Sequence, residues 1–163
     1  MATTDTLVTF FPRDNEPPAT NYATLDLRNA HPVLDFDTTP GETALFTGVL
    51  PRHYAGGGIT VYVHYSMTSA ITGTCGWLVA FERIGDASQD IDADGFAADS
   101  TITAVTVDGT SGNVDIVNVA MANGAAIDSI AVGESFRLRI TRDVAIDTAA
   151  GDAELVAVEL KET

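Results

Sequence analysis

Residues 46–86, FTGVLPRHYAGGGITVYVHYSMTSAITGTCGWLVAFERIGD, decide the fold because they contain two long β-type runs. In 59–67 apolar residues occupy the odd positions, which is the period-two pattern of a strand with one buried face. The run 75–84 is apolar on both faces, so it belongs in a sheet whose outer face is covered by an arm or a neighbouring subunit. With the polar link 68–73, the two runs predict a central hairpin.

Shorter β-type runs occupy much of the remaining sequence, with proline and glycine turns between them. The one helix candidate is 125–131, little more than a turn, and the run 114–121 changes its apolar phase, which predicts a bulge or two covered faces. The predicted inward side chains are Ile59, Val61, Val63 and Tyr65; Phe136, Leu138 and Ile140; and Val156, Val158 and Leu160. Nine or ten strands predict an all-β fold, an antiparallel β-sandwich that is jelly-roll-like.

The N-terminal quarter differs from the rest in its proline-bearing linker. Residues 1–40 are predicted as an edge strand and an extended arm, and residues 41–163 as the β-sandwich, in a single domain overall. Pro12 ends the edge strand, and the polar linker 13–21 cannot be helical inside. The arm is either a spacer or a segment that lies across a neighbouring subunit, since termini are loose unless something ties them down.

The charge balance excludes several classes of partner. With 23 acidic and 8 basic residues the net charge is −15, so we expect no nucleic acid and no anionic membrane as a partner. The same charge fits solubility, or a negative surface that faces a basic partner or divalent ions. The N-terminus lacks the basic and apolar regions of a secretory signal, and no apolar run approaches 18 residues. Cys75 stands alone, which excludes an internal disulfide and fits synthesis in a reducing cytoplasm.

An acidic segment is the strongest local motif. Asp90, Asp92 and Asp94 alternate and are followed by Gly95, as in the first half of a calcium loop. The bidentate glutamate expected at position 12 is replaced by Thr101, although Asp99 could substitute from position 10. The sequence therefore leaves two readings open: a Ca²⁺ site made by Asp90, Asp92, Asp94 and Asp99, or a solvated acidic turn with no cofactor.

Catalytic patterns are nearly absent, so we predict that the protein is not an enzyme. His31, His53 and His64 lack zinc-site spacing, and no nucleophile elbow or dinucleotide fingerprint occurs. The acid pair Asp35 and Asp37 could indicate glycoside hydrolysis, but its spacing fits one face of a strand equally well. No catalytic residue is assigned.

Aromatic residues near the central runs raise the possibility of carbohydrate binding, because a sandwich can present an aromatic platform to a sugar ring. The candidates are Tyr54, Tyr62, Tyr65 and Trp77. Trp77 and Tyr65 fall on strand faces that the apolar pattern predicts to be buried, which favours a packing role for these two residues.

Several segments of the sequence resemble those of a known protein family. Arg28-Asn29-Ala30-His31-Pro32, PRHYAGGG at 51–58, WLVAFERIGD at 77–86, QDIDADGFA at 89–97 and the ending GDAELVAVELKET resemble small virion-associated structural proteins of tailed bacteriophages. The resemblance implies a non-enzymatic β-sandwich, most simply a capsid decoration (cement) protein that binds the major capsid protein or other virion proteins. It also implies a homo-oligomer, commonly a homotrimer, made in the host cytoplasm and located in the virion. The alternative is a tail or head-fibre module that binds a receptor or a carbohydrate.

Overall fold

The computed structural model describes residues 4–163, which form two packed antiparallel sheets. The larger sheet has the order β2-β3-β10-β5-β8, with β1 also paired to β10, and the smaller sheet has the order β4-β9-β6-β7. This arrangement confirms the predicted all-β antiparallel sandwich. The strands are β1 (Thr6–Phe10), β2 (Thr24–Arg28), β3 (His31–Phe36), β4 (Thr43–Val49), β5 (Ile59–Met67), β6 (Thr74–Ile84), β7 (Ser100–Thr106), β8 (Asp115–Met121), β9 (Ser135–Arg142) and β10 (Ala153–Glu162).

Helical structure among these residues is limited to two single turns of 3-10 helix, Pro12–Asp14 and Ala125–Ile127. The second coincides with the start of the predicted helix at 125–131. No helix in residues 4–163 has the length and apolar character needed to cross a membrane.

The core lies between the two sheets and is filled by the predicted inward faces of β5 and β9, whose apolar side chains are fully buried. Trp77 of β6 contacts Phe36 and Tyr65 edge-on, with ring centroids 5.0 and 5.3 Å apart. Because these rings come from both sheets, they join the two layers. The predicted core role of Trp77 and Tyr65 is confirmed.

The predicted central hairpin is wrong, because β5 lies in the larger sheet and β6 in the smaller one. The link 68–73 therefore crosses from one layer to the other. Alternation along the sequence cannot distinguish pairing within a sheet from packing across the core, since both leave one apolar face per strand. The outer face of β6 is covered by the same chain: a Cβ on Gly76 would lie 2.6 Å from Ile146 Cδ1.

The segment predicted as an arm packs on its own chain. Residues 1–3 lie outside the described residues, and β1, β2 and β3 belong to the larger sheet. Between β1 and β2 the chain follows the free edge of β4: Glu16 N donates to Leu45 O at 2.8 Å, and Ala23 N donates to Thr43 O at 3.1 Å. These contacts satisfy backbone groups that an open sheet edge would expose.

Two local predictions fail at specific residues. Val156 was predicted to face inward, but the β10–β5 register shifts between Leu155 and Ala157, and Val156 is half-buried and lines a surface cleft. A bulge adds one residue to a strand, so the side chain at the bulge, here Val156, does not follow the inward–outward alternation. The phase change in 114–121 reflects neither a bulge nor two covered faces, because β8 pairs regularly with β5 and Ile116 is 58% exposed.

Candidate functional site

A cleft opens on the outer face of the larger sheet at the point where β10 changes its neighbour. Strand β3 pairs with β10 as far as Leu155, and β1 begins to pair with it at Val158. Val156 lies between the two pairings, at the bulge. Since β1 and β3 share one edge of β10 and end on either side of Val156, they leave a gap between them. We call this gap the β10 cleft.

The β10 cleft has two connected parts, which share His31 and Val156. The first part has a volume of about 310 Å³ and is mainly apolar. The second has a volume of about 380 Å³ and is more polar. The first is lined by Phe11, Pro12, Arg13, His31, Pro32 and Val156. The second is lined by residues that include Arg28, Asn29, His31, Ser66, Val114 and Val156.

The polar wall of the β10 cleft is held in place by Glu154. Arg28 forms an ion pair with the Glu154 carboxylate and also donates to Met67 O at 2.8 Å. Ser66 Oγ donates to Glu154 Oε2 at 3.2 Å. Because Arg28 is fixed by a carboxylate and a backbone carbonyl, its position does not depend on a ligand.

Position 112, beside Arg28 in the β10 cleft, requires glycine. Gly112 has φ of +88°, and a Cβ there would lie 2.9 Å from Arg28 Nη2. Both the left-handed backbone and the close approach of the guanidinium group exclude larger residues without a shift of Arg28.

Asp35 is the cross-strand neighbour of Glu154 and the most perturbed carboxyl group near the β10 cleft. Burial, and then the negative charges of Asp152 and Glu154, raise the pKa of Asp35 to about 6. Its Oδ1 atom is buried without a hydrogen-bond partner among the described residues. Its sequence companion Asp37 is exposed. The two carboxyl groups therefore occupy different environments.

The exposed aromatic residue of the β10 cleft is Phe11, which sequence reasoning missed. Phe11 is 57% exposed, whereas its neighbour Phe10 is buried and stacks on Phe46 with centroids 5.2 Å apart. Phe11 directly follows β1 with an extended backbone, in which adjacent side chains point to opposite faces, so the pair Phe10-Phe11 could have indicated one buried and one exposed ring. Of the predicted candidates, Trp77 and Tyr65 are fully buried, Tyr54 is buried and Tyr62 is half-buried.

The four predicted calcium ligands lie in or beside the loop that follows β6. Asp90 Oδ1 accepts from Asp92 N at 3.0 Å, and Asp94 Oδ1 accepts from Gly95 N at 3.0 Å. Asp99 instead forms an ion pair with Arg139 at 2.8 Å. Within residues 4–163 no three His, Cys, Asp or Glu side chains converge in a way that could hold a metal ion.

Comparison of the sequence with protein-family models and with curated proteins finds no match. Solved structures of similar fold include a CBM35 from Cellvibrio japonicus, with a TM-score of 0.54, 8% identity, and coverage of 94% of this chain and 91% of that one. The CBM22-2 xylan-binding domain from Paenibacillus barcinonensis matches with a TM-score of 0.50, 11% identity, and 92% coverage of both chains. A family 30 carbohydrate-binding module of Clostridium thermocellum matches with a TM-score of 0.50, 9% identity, and coverage of 97% of this chain and 93% of that one. At these identities the likeness is one of fold: this chain shares the β-sandwich of carbohydrate-binding modules.

Proposed function

We propose that the chain is a non-catalytic carbohydrate-binding module and that it binds a glycan in the β10 cleft. The observation that carries the proposal is the combination of an exposed Phe11 ring with the polar side chains of Arg28, Asn29 and His31 in one cleft. A sugar ring has an apolar face that packs on an aromatic ring and hydroxyl groups that exchange hydrogen bonds with polar side chains.

The shared fold supports the same proposal, since one protein of similar fold is a xylan-binding domain. A binding role without hydrolysis is part of the proposal, since the solved structures of similar fold include carbohydrate-binding modules.

Affinity electrophoresis in gels that contain xylan or another soluble polysaccharide tests the proposal. We expect the wild-type protein to be retarded by at least one polysaccharide, and Phe11→Ala to weaken the retardation about tenfold because a stacking surface is lost. His31→Ala should weaken it as well, since His31 lines both parts of the β10 cleft.

Tyr22→Ala is the matched control, because Tyr22 is an aromatic residue that is 47% exposed and lies beside β4, away from the β10 cleft. It should leave retardation unchanged. Equal effects of Phe11→Ala and Tyr22→Ala would contradict the location of the site. Wild-type protein that no polysaccharide retards would contradict the function.

The predicted virion role, the homotrimer and the capsid partner are not addressed by these comparisons and stay predictions. A glycan-binding sandwich is compatible with the predicted alternative of a tail or head-fibre module. Co-sedimentation with assembled capsids would test the capsid role.

A further inference from the structure

The connection between β8 and β9 contains an asparagine that is followed directly by a glycine, Asn123-Gly124. It is the one Asn-Gly pair of the sequence, since every other asparagine precedes a glutamate, tyrosine, alanine or valine. Glycine has no Cβ, so its backbone nitrogen is less shielded than that of any other residue. In such a pair the side-chain carboxamide carbon and the next backbone nitrogen can close a five-membered imide ring.

The structure places the two reacting groups of this pair in contact. Gly124 N donates to Asn123 Oδ1 at 2.9 Å, so the nitrogen lies against the carboxamide that it would attack. Within residues 4–163 neither Gly124 N nor the Asn123 side chain forms a hydrogen bond with any other group. The fold therefore leaves both groups free to react.

The backbone of the turn keeps the pair accessible to water. Asn123 is exposed, and a Cβ on Gly124 would meet no atom within 4 Å. Gly124 has φ of +103°, a conformation that favours glycine. Its carbonyl oxygen is held on the other side, where it accepts from Ile127 N at 3.1 Å and from Ser129 N at 2.8 Å. The turn is thus ordered, while its reactive nitrogen faces solvent.

We propose that Asn123 is a site of spontaneous covalent modification, at which water converts the asparagine into isoaspartate and aspartate. A solvent base removes the proton of Gly124 N, and the nitrogen attacks Asn123 Cγ. As the new N–Cγ bond forms, the Cγ–Nδ2 bond breaks, and Nδ2 takes up a proton from solvent and leaves as ammonia. Water then opens the cyclic imide: opening at the backbone carbonyl carbon gives isoaspartate, and opening at Cγ gives aspartate.

The modification changes the wall of a surface cavity. Asn123 and Gly124 line a cavity of about 440 Å³ together with residues that include Tyr54 and Ile130, and none of its lining residues is charged. Either product adds a carboxylate to this cavity, and isoaspartate also lengthens the backbone by one carbon atom. No strand pairing of β8 or β9 includes Asn123 or Gly124, so both sheets keep their backbone hydrogen bonds.

Two other positions of the chain provide internal comparisons. Asn118 is also exposed, but it lies within β8 and is followed by Val119, whose branched side chain crowds the backbone nitrogen. Asp94 has the same contact as Asn123, because Gly95 N donates to Asp94 Oδ1 at 3.0 Å. An ionised carboxylate is nevertheless a much weaker electrophile than a carboxamide. We therefore expect neither position to react over the time in which Asn123 converts.

Incubation of the folded protein in mildly alkaline buffer, followed by peptide mapping, tests the proposal. Cleavage before aspartate releases the segment 115–127, which contains both Asn118 and Asn123. We expect this segment first to lose ammonia and then to gain the mass of a carboxyl group in place of an amide, at position 123 alone. The aspartate product acquires a new cleavage site before position 123 and the isoaspartate product does not, so the two are counted separately.

Gly124→Ala should slow the conversion about tenfold, because a Cβ shields the attacking nitrogen. Asn123→Gln should abolish it, since a six-membered ring closes much more slowly. Asn118→Gln is the matched control and should leave the rate at position 123 unchanged, and circular dichroism verifies that each variant is folded. Asn123 that stays unmodified in the folded protein while the isolated peptide 115–127 converts would overturn the proposal. Equal conversion of Asn118, or a rate insensitive to Gly124→Ala, would overturn it as well.

Discussion

The outer faces of the two sheets each carry a buried glutamate paired with an arginine, yet one face is covered and the other is open. On the smaller sheet, Glu82 pairs with Arg137 at 2.9 Å, and the Phe96 ring lies 5.3 Å from the Arg137 guanidinium carbon. Phe96 belongs to the loop that follows β6, so this loop folds back over the pair. A segment of the same chain therefore lies over this ion pair.

On the larger sheet, Glu154 pairs with Arg28, and the arginine lines the β10 cleft. The exposed fractions of the side chains are nearly the same as on the smaller sheet: 32% and 7% for Arg28 and Glu154, 33% and 6% for Arg137 and Glu82. Exposure alone thus does not distinguish the two pairs: Arg137 lies under Phe96 of its own chain, whereas Arg28 lines the β10 cleft. The difference lies in the covering segment, not in the pair.

Truncation of the two arginines should produce the largest effects and should separate these roles. Arg137→Ala and Arg28→Ala each leave a buried glutamate without its cation, so we expect each to lower the free energy of unfolding by about 2–4 kcal/mol. Only Arg28→Ala should also weaken retardation by polysaccharide. Urea denaturation measures the first effect, and affinity electrophoresis below the unfolding transition measures the second.

Arg28→Lys is an informative companion, because it keeps the charge, but one nitrogen cannot replace both Nη1, which donates to Glu154 and Met67 O, and Nη2, which donates to Thr68 O at 3.4 Å. We expect it to recover part of the stability and little of the binding. If Arg137→Ala weakened retardation as much as Arg28→Ala, the distinction between the two faces would be wrong.

Asp35→Asn should have a smaller effect that depends on pH. The pKa of Asp35 is raised from 3.8 to about 6 by burial and then by the charges of Asp152 and Glu154. Between these two values the folded state holds a proton that the unfolded state has lost, so this group makes the protein more stable as pH falls from about 7 to 4. We expect Asp35→Asn to be more stable than wild type at pH 7, by about 1 kcal/mol, and to lose that advantage near pH 4.

Thermal unfolding of both proteins at pH 4, 5, 6 and 7 measures this difference. Asp37→Asn is the matched control, because Asp37 is exposed, and its difference from wild type should be nearly independent of pH. A wild type that is more stable than Asp35→Asn at pH 7 would contradict the assigned cost of ionising Asp35.

Periodicity identified the strands and most of the core, because half-buried strands repeat every two residues. Phe136, Leu138 and Ile140 are buried as predicted, and Arg137 and Arg139 lie on the outer face. Pairing between strands was harder to obtain from the sequence. Strands β5 and β6 are consecutive and similarly apolar, and only their place in different sheets shows that they pack across the core.

The candidate site was largely hidden from sequence reasoning, because it depends on distant segments that meet at β10. Phe11, His31 and Val156 come from three parts of the chain, and the bulge that turns Val156 outward has no marker in the sequence. Of the aromatic residues considered for a sugar platform, Trp77 and Tyr65 are in the core, as predicted. Bulges and shared strand edges are set by tertiary pairing, and residue type alone does not reveal them.

The smallest expected effect is that of calcium on thermal stability, and it concerns the loop that follows β6 and lies over the smaller sheet. Phe96 lies over Arg139, Ala97 N donates to Phe81 O at 2.8 Å, and Asp99 pairs with Arg139. These contacts hold one end of the loop against the sheet. The carboxylates of Asp90 and Asp94 accept from backbone groups of their own turn. The loop is thus ordered by protein contacts, without the convergence of carboxylates that an ion would stabilise.

We therefore expect CaCl₂ to raise the melting temperature no more than NaCl or MgCl₂ of matched ionic strength, through general screening of the charge of −15. Asp92→Asn should leave that response nearly unchanged. An ion that bound only the folded loop would add about 2–3 kcal/mol at a hundredfold excess over its Kd, which is an easily measured shift. A calcium-specific rise that Asp92→Asn abolished would show that the cover of the smaller sheet is itself a binding site. The contrast between a face that carries its own loop and a face that carries the β10 cleft would then no longer hold, because both faces would bind a ligand.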